Sequence, residues 1–427
     1  MIESGRLRRV LLGAVAITAL TAGLVGVAPA ATAADARSQQ WYLDAMGVEK
    51  MWQKTTGKGM TIAVIDSGVD PSVPSLKGKV LKGWDASKAE GDETDDYNGH
   101  GTSMAEFIVG SGTGGSIQGL APDAKVIPYR VSNTKLQNEQ TVNAFDMEQA
   151  IRAAADSDAQ IINVSMGSDY YASEVREAVQ YAQSKGKLLF AAAGNNAEKG
   201  NKPQYPASYP EAIAVAATGR DGKAGAFSQH GEAIDIAAPG EHLPAWCDEK
   251  LDRYCDAYGT SIATAIVSGS AALIWSAHPD WTANQVLRVM LETAGRGEDW
   301  TPGAVSNYLG HGIVRPGMYL NRGVGKPGDP RVNPLTNAPA GPGAAEANAS
   351  AKPSATASGS GSSGTAPSAS ASPQAPADGA TSAPAVAGSG ESTGTGSRTG
   401  LVIGGAAVAL VVAAGAAFVI ARRRRAA

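Results

Sequence analysis

Three residues in this chain have the types needed for nucleophilic catalysis, and each stands within two residues of a glycine. Asp66 opens Asp66-Ser67-Gly68 behind the apolar run Thr61-Ile62-Ala63-Val64-Ile65. His100 lies in Gly99-His100-Gly101-Thr102-Ser103-Met104-Ala105, and Ser261 in Gly259-Thr260-Ser261-Ile262-Ala263. A serine hydroxyl is a poor nucleophile until a base takes its proton. Imidazole can do that near neutral pH. A carboxylate on the other ring nitrogen fixes the tautomer and stabilises the imidazolium. A fourth element, Phe190-Ala191-Ala192-Ala193-Gly194-Asn195, ends an apolar run in a glycine and a carboxamide. Asn195 and the backbone N–H of Ser261 have the chemistry of an oxyanion hole.

Such residues need elements that bring them to one place. Thr61 to Ile65, Val126 to Tyr129, Ile161 to Val164 and Leu188 to Ala193 read as short buried strands. Between them, Met147, Ala150, Ile151 and Ala154 recur at helical spacing, as do Val175, Ala178, Val179 and Ala182 behind Ser173 as an N-cap. Thr282 and Gln285 form a capping box for a helix carrying Val286, Val289 and Met290. Apolar strands alternating with helices predict an α/β fold, a mostly parallel sheet with helices on both faces. In such sheets ligands bind at the carboxyl ends of strands. Asp66 and Asn195 follow strands, and Ser261 opens a helix of small residues, where free N–H groups meet developing negative charge.

The four motifs resemble those of the subtilisin family of serine proteases, over roughly residues 59–320. The order Asp, His, Ser separates them from the chymotrypsin and α/β-hydrolase types. The resemblance implies a serine endopeptidase on a parallel sheet of about seven strands. It also implies that Tyr129, Arg130, Val131 and Ser132, with Ser165, Met166 and Gly167 and the turn Ala192-Ala193-Gly194, line a cleft. There a polypeptide substrate would bind as an added strand. Two positions depart from the family pattern: Ile262 stands where Met is usual, and Ala265 where Pro is usual.

The 427 residues are not uniform. Arg6, Arg8 and Arg9, the apolar stretch Val10 to Val27 and Ala31-Thr32-Ala33 read as a cleaved secretory signal over residues 1–34, with an uncleaved anchor as the rival. Residues 35–58 form an N-terminal extension, and 59–324 the peptidase domain. Residues 325–400, dominated by Pro, Ala, Gly, Ser and Thr, predict a flexible linker. Leu401 to Ala421 carries no charge and is long enough to span a bilayer, and Arg422 to Arg425 behind it favour a cytoplasmic tail at 422–427. This predicts a single-pass cell-membrane protein with its peptidase domain extracellular. A cell-wall sorting signal would need a Leu-Pro-x-Thr-Gly-like pentapeptide, and none precedes the span.

This whole-chain architecture resembles the mycosins, membrane-anchored proteases associated with type VII secretion, and Gln39 to Met46 is similar to the start of those proteins. That resemblance implies a secretion complex as a partner. A non-catalytic scaffold role within such a complex is the alternative function. The extension is too short for a folding-chaperone propeptide and is expected to pack on the domain.

Net charge is -4, which gives no basic footprint for nucleic acid. No histidine pair has metal-ligand spacing, and no cofactor or metal is expected. The acidic run Asp92, Glu93, Asp95 and Asp96 reads as a solvated loop rather than a calcium site, because the ligand pattern and turn glycine are lacking. Cys247 and Cys255, in an exported region, are expected to form a disulfide just before Ser261, with free thiols as the rival.

Overall fold

The computed structural model describes residues 36–132, 143–297, 300–301 and 303–341. The expected signal segment, membrane span and tail, and the linker beyond 341, lie outside the described residues. In chain order the helices are α1 (Ala36–Gln39), α2 (Trp41–Met46), α3 (Val48–Trp52), α4 (His100–Val109), α5 (Ala144–Asp156), α6 (Ser173–Ser184), α7 (Thr260–Ala277), α8 (Ala283–Thr293) and α9 (Pro316–Arg322).

Seven strands form one parallel sheet: β1 (Thr61–Asp66), β2 (Trp84–Asp85), β3 (Lys125–Arg130), β4 (Ile161–Val164), β5 (Leu188–Ala192), β6 (Ile213–Thr218) and β7 (Ile234–Pro239). Their order is β2-β3-β1-β4-β5-β6-β7, and every pairing is parallel. The hairpin β8 (Leu243–Trp246) and β9 (Tyr254–Ala257) stands apart and leads into α7.

Strand pleating divides the core in two. Ile62 and Val64 of β1 join α4, α7 and α8 on one face, while Ala63 and Ile65 join α5 and α6 on the other. Both faces are therefore covered, which is why the strands read as continuous apolar runs rather than alternating ones. Helix α7 is long and apolar enough to cross a membrane, but it is buried inside the domain and is a core helix. It runs unbroken through Ile262 and Ala265, both buried.

Two boundaries differ from the sequence reading, at α6 and at the linker, while the extension packs on the domain as expected. Helix α6 starts at Ser173, so the N-cap falls on Ala172 and the Ser173 hydroxyl bonds Glu174 instead. Ala172 is held extended by both its backbone groups, which bond the Tyr209 hydroxyl at 3.1 and 2.7 Å. The extension is built into the domain: Tyr42, Leu43, Val48 and Met51 are buried in the first core. Buried Gln40 bonds both the N–H and the C=O of Gln118, at 2.7 and 2.8 Å. Residues 325–341, expected in the linker, lie against α8. Asn284 Nδ2 donates to the carbonyls of Pro330 and Ala340, both at 3.0 Å, and Leu335 packs on the core. Their Pro and Gly content hid this, because the partners are backbone carbonyls, which any residue supplies.

Candidate active site

Asp66 is the last residue of β1, and its side chain is fully buried. His100 opens α4, and its Nδ1 lies 2.6 Å from Asp66 Oδ1. The imidazole remains 33% exposed, and its Nε2 is not used in the contact with Asp66. Burial alone would lower the His100 pKa, but the charge and hydrogen bond of Asp66, with Asp96 beyond, outweigh it, and the pKa stands above the ordinary 6.5.

The first turn of α4 explains how the histidine is held. The N–H groups of His100, Gly101 and Thr102 lack intrahelical partners. They bond Asn98 Oδ1 (2.8 Å), Ser67 Oγ (3.0 Å) and Asp96 Oδ2 (2.8 Å). Ser67 Oγ also lies 2.9 Å from Asp96 Oδ1. Gly101 is required by close approach: a Cβ there would stand 2.1 Å from the Gly68 carbonyl.

Ser261 is the second residue of α7, where its backbone N–H also has no intrahelical acceptor. Its hydroxyl donates to the Ser165 carbonyl at 3.0 Å rather than to the imidazole. Asn195 is exposed just beyond β5. Its Oδ1 accepts from the N–H and the hydroxyl of Thr260, at 2.9 and 3.0 Å. A backbone N–H can only donate, so the oxygen must face Thr260, and Nδ2 is left as the outward donor. Thr260 Oγ1 accepts in turn from the Gly194 N–H at 3.0 Å, which ties the strand-end turn to the serine helix. Gly194 adopts φ +111°, and a side chain there would collide with Gln229. The site thus sits at the carboxyl ends of β1, β4 and β5. A carboxylate-bound imidazole, a serine hydroxyl at a helix N-terminus and an outward carboxamide can together perform acyl transfer.

The subtilase family profile (peptidase S8) matches residues 57–312. The chain belongs to the subtilase family. It is 35% identical to thermitase of Thermoactinomyces vulgaris over 280 residues, covering 64% of this chain and 95% of thermitase. It is 32% identical to subtilisin Savinase of Lederbergia lenta over 260 residues, covering 61% of this chain and 90% of that protein. Among solved structures, the MycP3 protease from the type VII (ESX-3) secretion system superposes with a TM-score of 0.55 at 30% identity, covering 70% of this chain and 90% of that one. MycP1 from Mycobacterium smegmatis gives 0.55 at 28% identity, covering 66% and 84%. This chain is a subtilisin-like serine protease with mycosin structural neighbours.

The remaining expected site residues of this subtilase divide into two groups. Ser165, Met166 and Gly167 follow β4, and Ala192, Ala193 and Gly194 end β5, so both segments border Ser261 or Thr260. The Tyr129 to Ser132 side chains instead point into the protein. Arg130 is fully buried and pairs with Asp85 while also donating to the Asp95 and Glu90 carbonyls, and Tyr129 donates to the Ala153 carbonyl. Val131 and Ser132 are buried as well. Arg130 therefore holds the loop after β2, and any substrate contact in this segment runs through its backbone.

The acidic run also differs from the solvated loop expected. Glu93 is buried and pairs with Lys82 at 2.7 Å, and buried Asp96 holds the start of α4. Burial raises the Asp96 pKa against the bonds from Thr102 and Ser67. Asp96, Asn98 and Thr260 are positioning residues that sequence reasoning missed. Their signal was proximity to His100 and Ser261, one to four residues away. Cys247 and Cys255 form a disulfide across β8–β9, with Cα atoms 5.2 Å apart.

Proposed function

We propose that this subtilase is a membrane-anchored extracytoplasmic endopeptidase that processes exported proteins in a type VII secretion context, with Asp66, His100 and Ser261 as its triad. The carrying observation is the 2.6 Å contact of His100 Nδ1 with Asp66 Oδ1 beside a serine at a helix N-terminus. Ser261 Oγ leaves the Ser165 carbonyl by side-chain rotation, gives its proton to His100 Nε2 and attacks the scissile carbonyl carbon. Asn195 Nδ2 and the Ser261 N–H stabilise the oxyanion. His100 passes the proton to the leaving amine. Water, deprotonated by the same imidazole, then releases the acyl group and restores Ser261. The substrate lies extended along the segments after β3 and β4, held by main-chain bonds. The membrane anchor is the apolar segment 401–421 followed by Arg422 to Arg425.

A fluorophosphonate probe should label the wild type and spare Ser261→Ala. Equal labelling of both would end the proposal. A scaffold role is the second reading, favoured by the neighbour MycP1 being described as an essential component of the type VII (ESX-1) secretion system. Full restoration of secretion by Ser261→Ala in a deletion strain supports the scaffold, and no restoration supports the protease.

A further inference from the structure

A second cleft, of about 860 Å³, opens between α2–α3 of the extension and the segment 295–322. It shares no lining residue with the triad. Lys50, Arg220, Arg296, Arg315 and Arg322 line it, against the carboxylates of Asp44 and Asp221. Among the described residues none of these five cations forms an ion pair, whereas Asp221 is taken by Lys223 at 3.7 Å. Two of the arginines are fixed in place by neutral acceptors. Arg315 donates to the carbonyls of Thr293 and Ala294, both at 3.2 Å. Arg296 donates to those of His311 and Leu291, at 2.8 and 3.1 Å. Arg220 lies over the Trp41 ring at 5.9 Å.

This is unusual for a chain of net charge -4. A carbonyl orients a guanidinium without cancelling its charge, so Arg296 and Arg315 are preorganised without a paired carboxylate among the described residues. Burial and the like charges of Arg296 and Arg322 hold the Arg315 guanidinium below its ordinary value, as expected where an anion is lacking. The cleft is far larger than one carboxylate and has the size of sites that hold extended ligands, ~300–1,000 Å³. Between the charges it is apolar, with Trp41 and Met318 in the wall. The apolar wall of Trp41 and Met318 suits a polypeptide, which carries apolar side chains between its charges, better than a polyphosphate, which carries none.

We propose that this cleft binds an acidic polypeptide segment of a partner protein, its carboxylates meeting Arg296, Arg315 and Arg322 and an apolar side chain resting on Trp41. This surface is separate from the proteolytic reading and stands or falls without it. It gives the domain a docking point that leaves the strands around Ser261 free.

The test is fluorescence anisotropy of full-length protein in detergent, carrying Ser261→Ala so that the probe is not cut. The probe is a fluorescein-labelled peptide, Glu-Glu-Leu-Glu-Trp-Glu-Glu, and the control has Gln at every Glu. Saturable binding is expected, lost with the Gln peptide and weakened about tenfold or more by combined Arg220→Glu and Arg322→Glu. Neither of these two side chains bonds a backbone carbonyl among the described residues. The same pair in a Ser261 parent should leave fluorophosphonate labelling unchanged, which reports an intact fold. If the reversal pair misfolds, Lys50→Gln with Arg322→Gln takes its place and should weaken binding several-fold. Absence of saturable binding to the parent at low salt, or equal binding by a folded variant, overturns the proposal.

Discussion

Glu106 offers the sharpest test of how the serine protease domain is held together. It lies on α4 six residues after His100 and is fully buried. Its carboxyl accepts from the Ser75 hydroxyl and from the Tyr254 hydroxyl, the latter at 3.0 Å, so it joins α4 to the disulfide hairpin. No cation faces it. Burial raises its pKa from 4.5 to about 7, against the hydrogen bonds of Ser75 and Tyr254. Below pH 4.5 the folded and unfolded chains both hold this proton. Between 4.5 and about 7 the folded state keeps a proton that the unfolded chain has released, so stability falls as pH rises. At about 1.36 kcal/mol per pH unit, the full displacement amounts to about 3 kcal/mol. Roughly 2–3 kcal/mol of it falls between pH 5 and pH 8.

Glu106→Gln keeps the shape and the accepting oxygen and removes the titration. Urea unfolding of both proteins, in a Ser261→Ala background that prevents autolysis, gives the stability difference at each pH. The variant should gain about 2–3 kcal/mol on the wild type between pH 5 and pH 8. Asp235, whose pKa burial also raises to about 7, is common to both proteins and cancels. A stability difference that does not move with pH would refute the assignment of a buried, proton-holding Glu106.

Three further outcomes are expected. The acidic limb of kcat/KM should lie above pH 6.5, because the required neutral His100 is lost as pH falls through a raised pKa; Asp66→Asn should move that limb downward and cut kcat about 10⁴-fold in a pH–rate profile. Asn195→Ala should lower kcat about 10²–10³-fold with KM little changed under the proposed role of Nδ2 as an oxyanion donor, Oδ1 being bonded to Thr260; an equal rise in KM would place Asn195 in ground-state binding instead. Replacing both Cys247 and Cys255 by Ser should destabilise the domain by about 2–3 kcal/mol in urea unfolding, as expected for closing so short a loop.

Much of the architecture was legible because it depends on local patterns. Ile161–Val164 appears as read, and the capping box on Thr282 and Gln285 is formed, since both follow from residue type at fixed spacing. Glycine-boxed Asp66, His100 and Ser261 pointed to one mouth of the sheet because each motif carries its own strand end or helix start. Where tertiary contacts compete with local signals, the reading failed. Tyr209 displaced the cap from Ser173.

The sequence alone determined the chemistry available: which side chains can attack, accept protons and donate to an oxyanion, and in what order they come. The tertiary structure decided which polar groups became buried and whom they meet. Asp96 and Glu93 left the expected solvated loop for buried bonds, and Gln40 drew the extension into the core. The physical reason is that a buried polar group must find a partner, and that partner lies wherever the fold brings it, at distances along the chain that no local spacing encodes.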